Sequence, residues 1–174
     1  TGKQTQPTPQ DVRNAVETAL RRTGYVYEIA FFGGSFTAIE RAYMLELLTA
    51  AKSEIDLKNA KGIRISTRPD CIDNEILTLL KEYGVTAIEL GAQSMNDEVL
   101  LKNRRGHTAH DVITASQLIK DFGFQLGLQM MTGLYGDNDE KSIETAEKII
   151  SLNPDTVRIY PTVVFKNTHL DKLR

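Results

Sequence analysis

An α/β fold, a partial parallel (β/α) barrel of the TIM type, is what this sequence predicts, and three observations predict it. Short apolar runs of strand length alternate with longer stretches of helical periodicity along the whole chain, the pattern of parallel βαβ units. Five of these runs stop at a short polar turn, as the strands of a barrel do where one rim carries an active site. The first turn, Gly33-Gly34-Ser35-Phe36-Thr37, places two glycines where a strand ends, so a ligand can lie directly against the backbone. A Gly-Gly pair alone is more often only a tight strand-to-helix connection. The repetition at four later strands is what points to a site.

Each element follows from local signals. Thr8-Pro9 opens a helix, with Thr8 as N-cap and Pro9 in the first helical position. Val12, Ala15, Val16, Ala19 and Leu20 form its apolar stripe, and Gly24 ends it. Glu28–Phe32 is a strand. The next helix carries Ile39, Tyr43, Met44, Leu47, Leu48, Ala51 and Ile55 on one face. Gly62–Thr67 is a strand, and Asp73 caps a helix that runs through Leu77, Leu80 and Tyr83 to Gly84. Val85–Leu90 is the third strand. A longer connection then carries short helix 97–101 and a second helix over 109–122. Gln125–Met131 is a strand, and 138–152 is a helix with Ile143, Ala146, Ile149 and Ile150 facing inward. Thr156–Tyr160 is the last strand, before Pro161.

The order is a helix, then five strands with helices between them. Opening on a helix implies a strand before it, so five strands of an expected six are present. Residues 1–174 form one core, with 1–8 disordered or a linker. A doubly wound sheet with a central switch point is the structural alternative. In a barrel the strands lie in sequence order with helices on the convex face.

Composition narrows the function classes. Hydrophobic residues make up 41% and charged residues 25% of 174, ordinary for a globular domain with a sizeable core. A net charge of −2 and a pI near 5.9 argue against a surface built broadly for nucleic acid. No apolar run approaches a membrane span, and no signal peptide is apparent. A single cysteine, Cys71, excludes an internal disulfide and suits a reducing, cytoplasmic setting.

At the strand ends stand Gly33-Gly34-Ser35, Ser66-Thr67-Arg68-Pro69-Asp70, Gly91-Ala92-Gln93-Ser94, Gln129 with Thr132, and Tyr160 with Thr162. Gln93 and Gln129 offer both donors and acceptors, which suits ribose hydroxyls or an adenine edge. Gln93, Ser94 and Asn96 read equally well as caps of the following helix. Lys102-Asn103-Arg104-Arg105-Gly106-His107 concentrates positive charge beside this rim; an arginine there could take a carboxylate or phosphate in bidentate fashion. The same run reads as a solvated charge cluster. His107, His110 and His169 lack metal-ligand spacing and are expected in loops or at the surface. Cys71 reads as a passive small residue at a helix start, with no base in view. Glu28, Glu89 and Asp155 show no spacing of a carboxylate pair.

Taken together, the turns resemble the radical SAM superfamily, in the branch that holds oxygen-independent coproporphyrinogen oxidase and the elongator catalytic subunit. The matching segments are Phe31–Thr37, Ile65–Asp70, Ile88–Ser94, Asn103–Thr108, Gln129–Leu134 and Val157–Thr162, in family order. The resemblance implies S-adenosylmethionine and a 4Fe-4S cluster as cofactors. It places the methionine amino group on Gly33-Gly34, with Ser35 and Phe36 finishing that turn. Gln93 would reach the ribose, Arg105 the methionine carboxylate, and Leu134 would lie along the adenine. Coproporphyrinogen-oxidase-like members carry acidic residues where this chain has Ser66 and Gln129, so the ribose and sulfonium contacts there differ. The family's cluster needs three closely spaced cysteines (CxxxCxxC), and this chain has only Cys71. Loss of an N-terminal segment would account for the absent cysteines and the absent strand together.

The expected function is therefore the core of a radical SAM enzyme, whose parent generates a 5′-deoxyadenosyl radical while this chain alone is inactive. The alternatives are a non-catalytic nucleotide- or RNA-binding module, supported by the Lys102–His107 run, and an unrelated phosphate-binding barrel that uses the Gly-Gly turn as an anion site. No residue signature names a substrate; a tRNA is conceivable, without support from the net charge. An uncovered first strand, Glu28–Phe32, would also leave an apolar edge open to self-association.

Overall fold

The computed structural model describes residues 6–168 and 170–173, so the expectations for residues 1–5 and for His169 lie outside the described residues. Five strands form one sheet in the order β1-β2-β3-β4-β5, every neighbouring pair parallel. They are β1 (Ile29–Phe31), β2 (Ile63–Thr67), β3 (Val85–Gln93), β4 (Gln125–Thr132) and β5 (Thr156–Pro161). Sequence order without a switch point is the curled half-barrel, and the doubly wound alternative is excluded.

The helices are α1 (Pro9–Thr23), α2 (Arg41–Asp56), α3 (Asn74–Glu82), α4 (Asp97–Lys102), α5 (Ala109–Asp121) and α6 (Asp139–Ser151). Their starts are fixed by side chains that satisfy the first-turn amides. Thr8 and Asp11 form a reciprocal capping box on α1, and Thr108 and Asp111 repeat it on α5. Asp73, Asn96 and Asn138 cap α3, α4 and α6.

The convex face of the sheet buries Ile63, Ile65, Ile88, Leu90, Leu126 and Leu128 under the helices, which supply Met44, Leu48, Leu77, Leu80, Val112 and Ile119. The alternate residues of the same strands face the other way, and there the side chains turn polar: Arg64, Ser66, Glu89 and Gln129.

Two stripes differ from expectation. On α6, Ile143 and Ile150 do not face inward; they are 61% and 66% exposed, while Thr145 and Ile149 are buried. The sheet ends at β5, whose Val157 and Ile159 are also exposed, so nothing among the described residues covers the side of α6 beyond that strand. On α1, Val12 and Val16 are buried but Ala15 is exposed. Ala15 opens onto an apolar groove shared with Phe31, Ile39 and Tyr43, beside the unpaired edge of β1.

One backbone position holds the middle of the sheet together. A Cβ on Gly127 would lie 2.6 Å from the Glu89 carboxyl carbon and 2.9 Å from the Thr156 hydroxyl. The Glu89 carboxylate cannot retreat, because it is fully buried and held by Arg64 and Arg158. Gly127→Ala is expected to cost about 1–3 kcal/mol through overpacking, read as a lower urea midpoint at unchanged slope. An unchanged midpoint would show that the sheet yields there.

Candidate functional site

The C-terminal ends of all five strands converge on one cavity of about 400 Å³, within the roughly 300–1,000 Å³ of small-molecule sites. Beyond β1 its wall is Phe32, Gly33, Gly34 and Ser35. Gly33 has φ +105°, which excludes an L side chain in comfort. A Cβ on either glycine meets nothing within 4 Å, so this turn borders open space. Phe36 is not in the wall: it is buried and stacks on Phe31 with ring centroids 4.7 Å apart. The Thr37 hydroxyl donates to the Cys71 carbonyl (2.8 Å) and so accepts from the Thr67 hydroxyl (2.5 Å). That chain of bonds ties the first rim turn to the second.

From β2 come Ser66, Thr67 and Arg68, and from β3 Gly91 and Gln93. The ladder between β3 and β4 shifts register between Gly91 and Gln93. This bulge puts Gln93 in the left-handed region at φ +65°, a strain of about 1–3 kcal/mol for a residue with a Cβ. The Gln93 amide then folds over Gly91, where an added Cβ would lie 2.5 Å from its Nε2. Of the three residues that read as possible caps, only Asn96 caps α4. Ser94 is buried against the Thr145 hydroxyl (3.3 Å).

The basic loop divides. Lys102 pairs with Glu98 at 2.6 Å and Arg104 is exposed, so both lie outside the cavity. Arg105 and His107 turn inward. Arg105 is half-buried, its Nη2 lies 3.1 Å from the Met131 sulfur, and its Nε has no hydrogen-bond partner among the described residues. Burial pushes the guanidinium pKa down, and no carboxylate stands by to restore it. His107 departs from its expected loop or surface placement. It is buried, and its Nε2–H donates to the Ala92 carbonyl at 3.0 Å. A carbonyl only accepts, so the proton sits on Nε2, and Nδ1 is left without a partner. Strand-like spacing does not reveal it, because Gly106 between the two residues takes φ +77° and the loop is bent rather than extended.

The floor is charged. Glu89 on β3, fully buried, meets Arg64 of β2 at 3.0 Å and Arg158 of β5 at 3.3 Å. Gln129 Nε2 donates to the same carboxylate at 3.4 Å, and Arg64 also pairs with Glu28 at 2.8 Å. Gln129, Arg158 and Tyr160 reach the cavity wall. The Arg158 guanidinium lies 4.9 Å from the centre of the Phe32 ring, so the first and last strands meet across the concave face. Leu134 is buried beyond β4 and is not part of the wall. The structure thus gathers Gly33, Gly34, Ser35, Ser66, Gln93, Arg105 and Gln129 around one space, and leaves Phe36 and Leu134 behind it.

Such a site suits a ligand that carries both charge and hydrogen-bonding hydroxyls. An iron–sulfur cluster is a different matter. Cys71 is the single cysteine of the chain, and among the described residues no three His, Cys, Asp or Glu side chains stand close enough to hold a metal. These 174 residues do not fit a cluster, which needs three thiolates.

Known proteins share this chain's sequence pattern and its fold. Residues 1–149 match the radical SAM superfamily. The chain is 40% identical over 164 residues to the tRNA uridine(34) acetyltransferase of Methanocaldococcus jannaschii, covering 82% of this chain and 30% of that protein. The fold superposes on the archaeal Elp3 of Methanocaldococcus infernus with TM-score 0.82 and 28% identity, over 95% of this chain and 44% of that one. It also superposes on the radical SAM coproporphyrinogen III oxidase of Escherichia coli with TM-score 0.71 and 18% identity, over 95% of this chain and 40% of that one; at that identity the likeness is one of fold. The chain spans about a third to a half of the length of curated relatives that it matches.

Beside the rim, Cys71 is partly buried, and burial followed by the neighbouring Asp70 carboxylate pushes its thiol pKa up; Arg68, 3.7 Å from the sulfur, opposes them only in part. A raised pKa keeps it a thiol at neutral pH, and the thiolate is the nucleophile. Cys71 should react with iodoacetamide at pH 7.5 more slowly than free cysteine under the same conditions, as followed by mass spectrometry. Equal or faster alkylation would mean that the rim activates it.

Proposed function

The chain belongs to the radical SAM superfamily, and from that premise we propose that its rim cavity is the S-adenosylmethionine site of a radical SAM enzyme. The observation that carries the reading is Arg105, a half-buried guanidinium with no carboxylate partner, facing the Gly33-Gly34 turn across one cavity. A buried unpaired cation is costly, and a ligand carboxylate supplies the missing charge in the geometry that guanidinium prefers. The methionine carboxylate fits that need.

The remaining assignments follow from chemistry. Gly33 and Gly34 present backbone without Cβ atoms to the methionine amino end. Gln93 offers an amide to the ribose hydroxyls. Ser66 and Gln129 stand as neutral polar groups where carboxylates are found in related members, and Glu89, its charge already met by Arg64 and Arg158, orients the Gln129 amide. Phe36 and Leu134 act from behind the wall, through the turns that they anchor.

For the whole protein we propose the family's reaction, formation of a 5′-deoxyadenosyl radical, with cluster thiolates supplied from outside these residues. The protein groups here bind and orient the cofactor and exclude water. Likeness to a tRNA uridine(34) acetyltransferase supports a tRNA as the whole protein's substrate. In the loop beside the rim Lys102 pairs with Glu98, which leaves Arg104 and Arg105 as the cations a polyanion could meet.

Binding of S-adenosylmethionine by titration calorimetry tests the site. Gly34→Val projects a branched side chain into the open space of the turn and is expected to abolish binding, with circular dichroism unchanged. Gln93→Ala is expected to weaken it by about 1–3 kcal/mol, the cost of a lost buried hydrogen bond. Wild-type affinity in a folded Gly34→Val protein would reduce the turn to a mere connection.

A further inference from the structure

The Ala92 carbonyl carries an unusual load. It accepts from the Ser94 amide at 2.8 Å and from His107 Nε2 at 3.0 Å. Ala92 is the extra residue of the bulge where β3 slips against β4, and the next residue is Gln93 at φ +65°. Strained backbone persists only where its surroundings over-determine it. Here the determinants can be named. The Ser94 amide closes the tight turn, and Ser94 is itself held against Thr145 of α6. The imidazole of His107 grips the same oxygen from the loop between α4 and α5. His107 is 7% exposed and lines the cavity two residues from Arg105.

We propose that His107 is a positioning residue: its Nε2–H, fixed on the Ala92 carbonyl, holds the bulge that turns Gln93 into the cavity, and so couples the Arg105 loop to the Gln93 amide. The inference rests on the cofactor reading for its binding consequence, but not for its structural one. An apolar ring of the same size would fill the space and leave the carbonyl with the Ser94 amide alone. The bulge would then relax toward ordinary strand pairing, and Gln93 would leave Gly91.

Two variants separate this role from packing. His107→Phe keeps the volume and removes the donor. His107→Gln returns an amide N–H near the position of Nε2. Backbone chemical shifts of residues 91–94 report the left-handed conformation of Gln93 without any ligand. They should move toward extended values in His107→Phe and stay close to wild type in His107→Gln. Affinity for S-adenosylmethionine should fall roughly tenfold in His107→Phe and recover in His107→Gln. Adding His107→Phe to Gln93→Ala should then cost little beyond Gln93→Ala alone, because both changes remove one function. Unmoved shifts at Gln93 in a folded His107→Phe protein overturn the proposal. Strict additivity of the two losses overturns it as well, since His107 would then act independently of Gln93. If the wild-type chain binds no cofactor while the shifts move as stated, the positioning role stands and the cofactor reading falls.

Discussion

Glu89 sits in the middle of the sheet with no exposed surface, and its carboxylate meets Arg64 at 3.0 Å and Arg158 at 3.3 Å. Gln129 adds a longer contact at 3.4 Å. Four of the five strands are joined at this one group: β2 through Arg64, β3 through Glu89, β4 through Gln129 and β5 through Arg158. A buried carboxylate is tolerable only when its charge and lone pairs are met, so the register of the four strands is constrained by a single side chain. Gly127 is the counterpart of that constraint, because any Cβ there would occupy the space of the carboxylate. Apolar packing under the helices supplies most of the stability of the convex side. The charged floor fixes how the concave side is arranged.

The rim inherits its order from the floor. With Gln129 and Arg158 held from below, polar groups reach the cavity at set positions rather than as free surface side chains. Arg105 differs from the other guanidiniums at and beneath the cavity. Arg64 has Glu28 and Glu89, Arg68 has Asp70 and Arg158 has Glu89, whereas Arg105 has only a methionine sulfur. Of these four, Arg105 alone lacks a carboxylate partner among the described residues. That contrast, more than the size of the cavity, gives the site its chemical character.

Much of the fold was legible because its signals are local. Thr8-Pro9 and Asp73 announce helix starts through side-chain caps, and the structure places them there. Strand order followed from alternation alone. What stayed hidden depends on register and on neighbours. Glu89 gave no sign of its partners, since Arg64 and Arg158 are far away in sequence and meet it only across strands. His107 looked like one more member of a charged loop until the loop folded inward. The conformation of Gln93 comes from a bulge that no composition reveals. Ile143 and Ile150 satisfied helical periodicity, but periodicity names a stripe and not what covers it. The Gly33-Gly34 turn and Gln93 stood out as strand ends, and both reach the cavity; Phe36 and Leu134 belonged to the same motifs and sit behind it.

The proposed binding of S-adenosylmethionine at one rim of this half-barrel, between the Gly33-Gly34 turn and Arg105, is open to direct measurement. Backbone amide resonances followed during titration with the cofactor address it directly. The account predicts saturable shifts at Gly33, Gly34, Gln93, Arg105 and His107, with the α1–α2 groove around Ala15 and Tyr43 unaffected. Shifts confined to that groove, or a spectrum that does not respond at these rim positions while binding occurs, would contradict it.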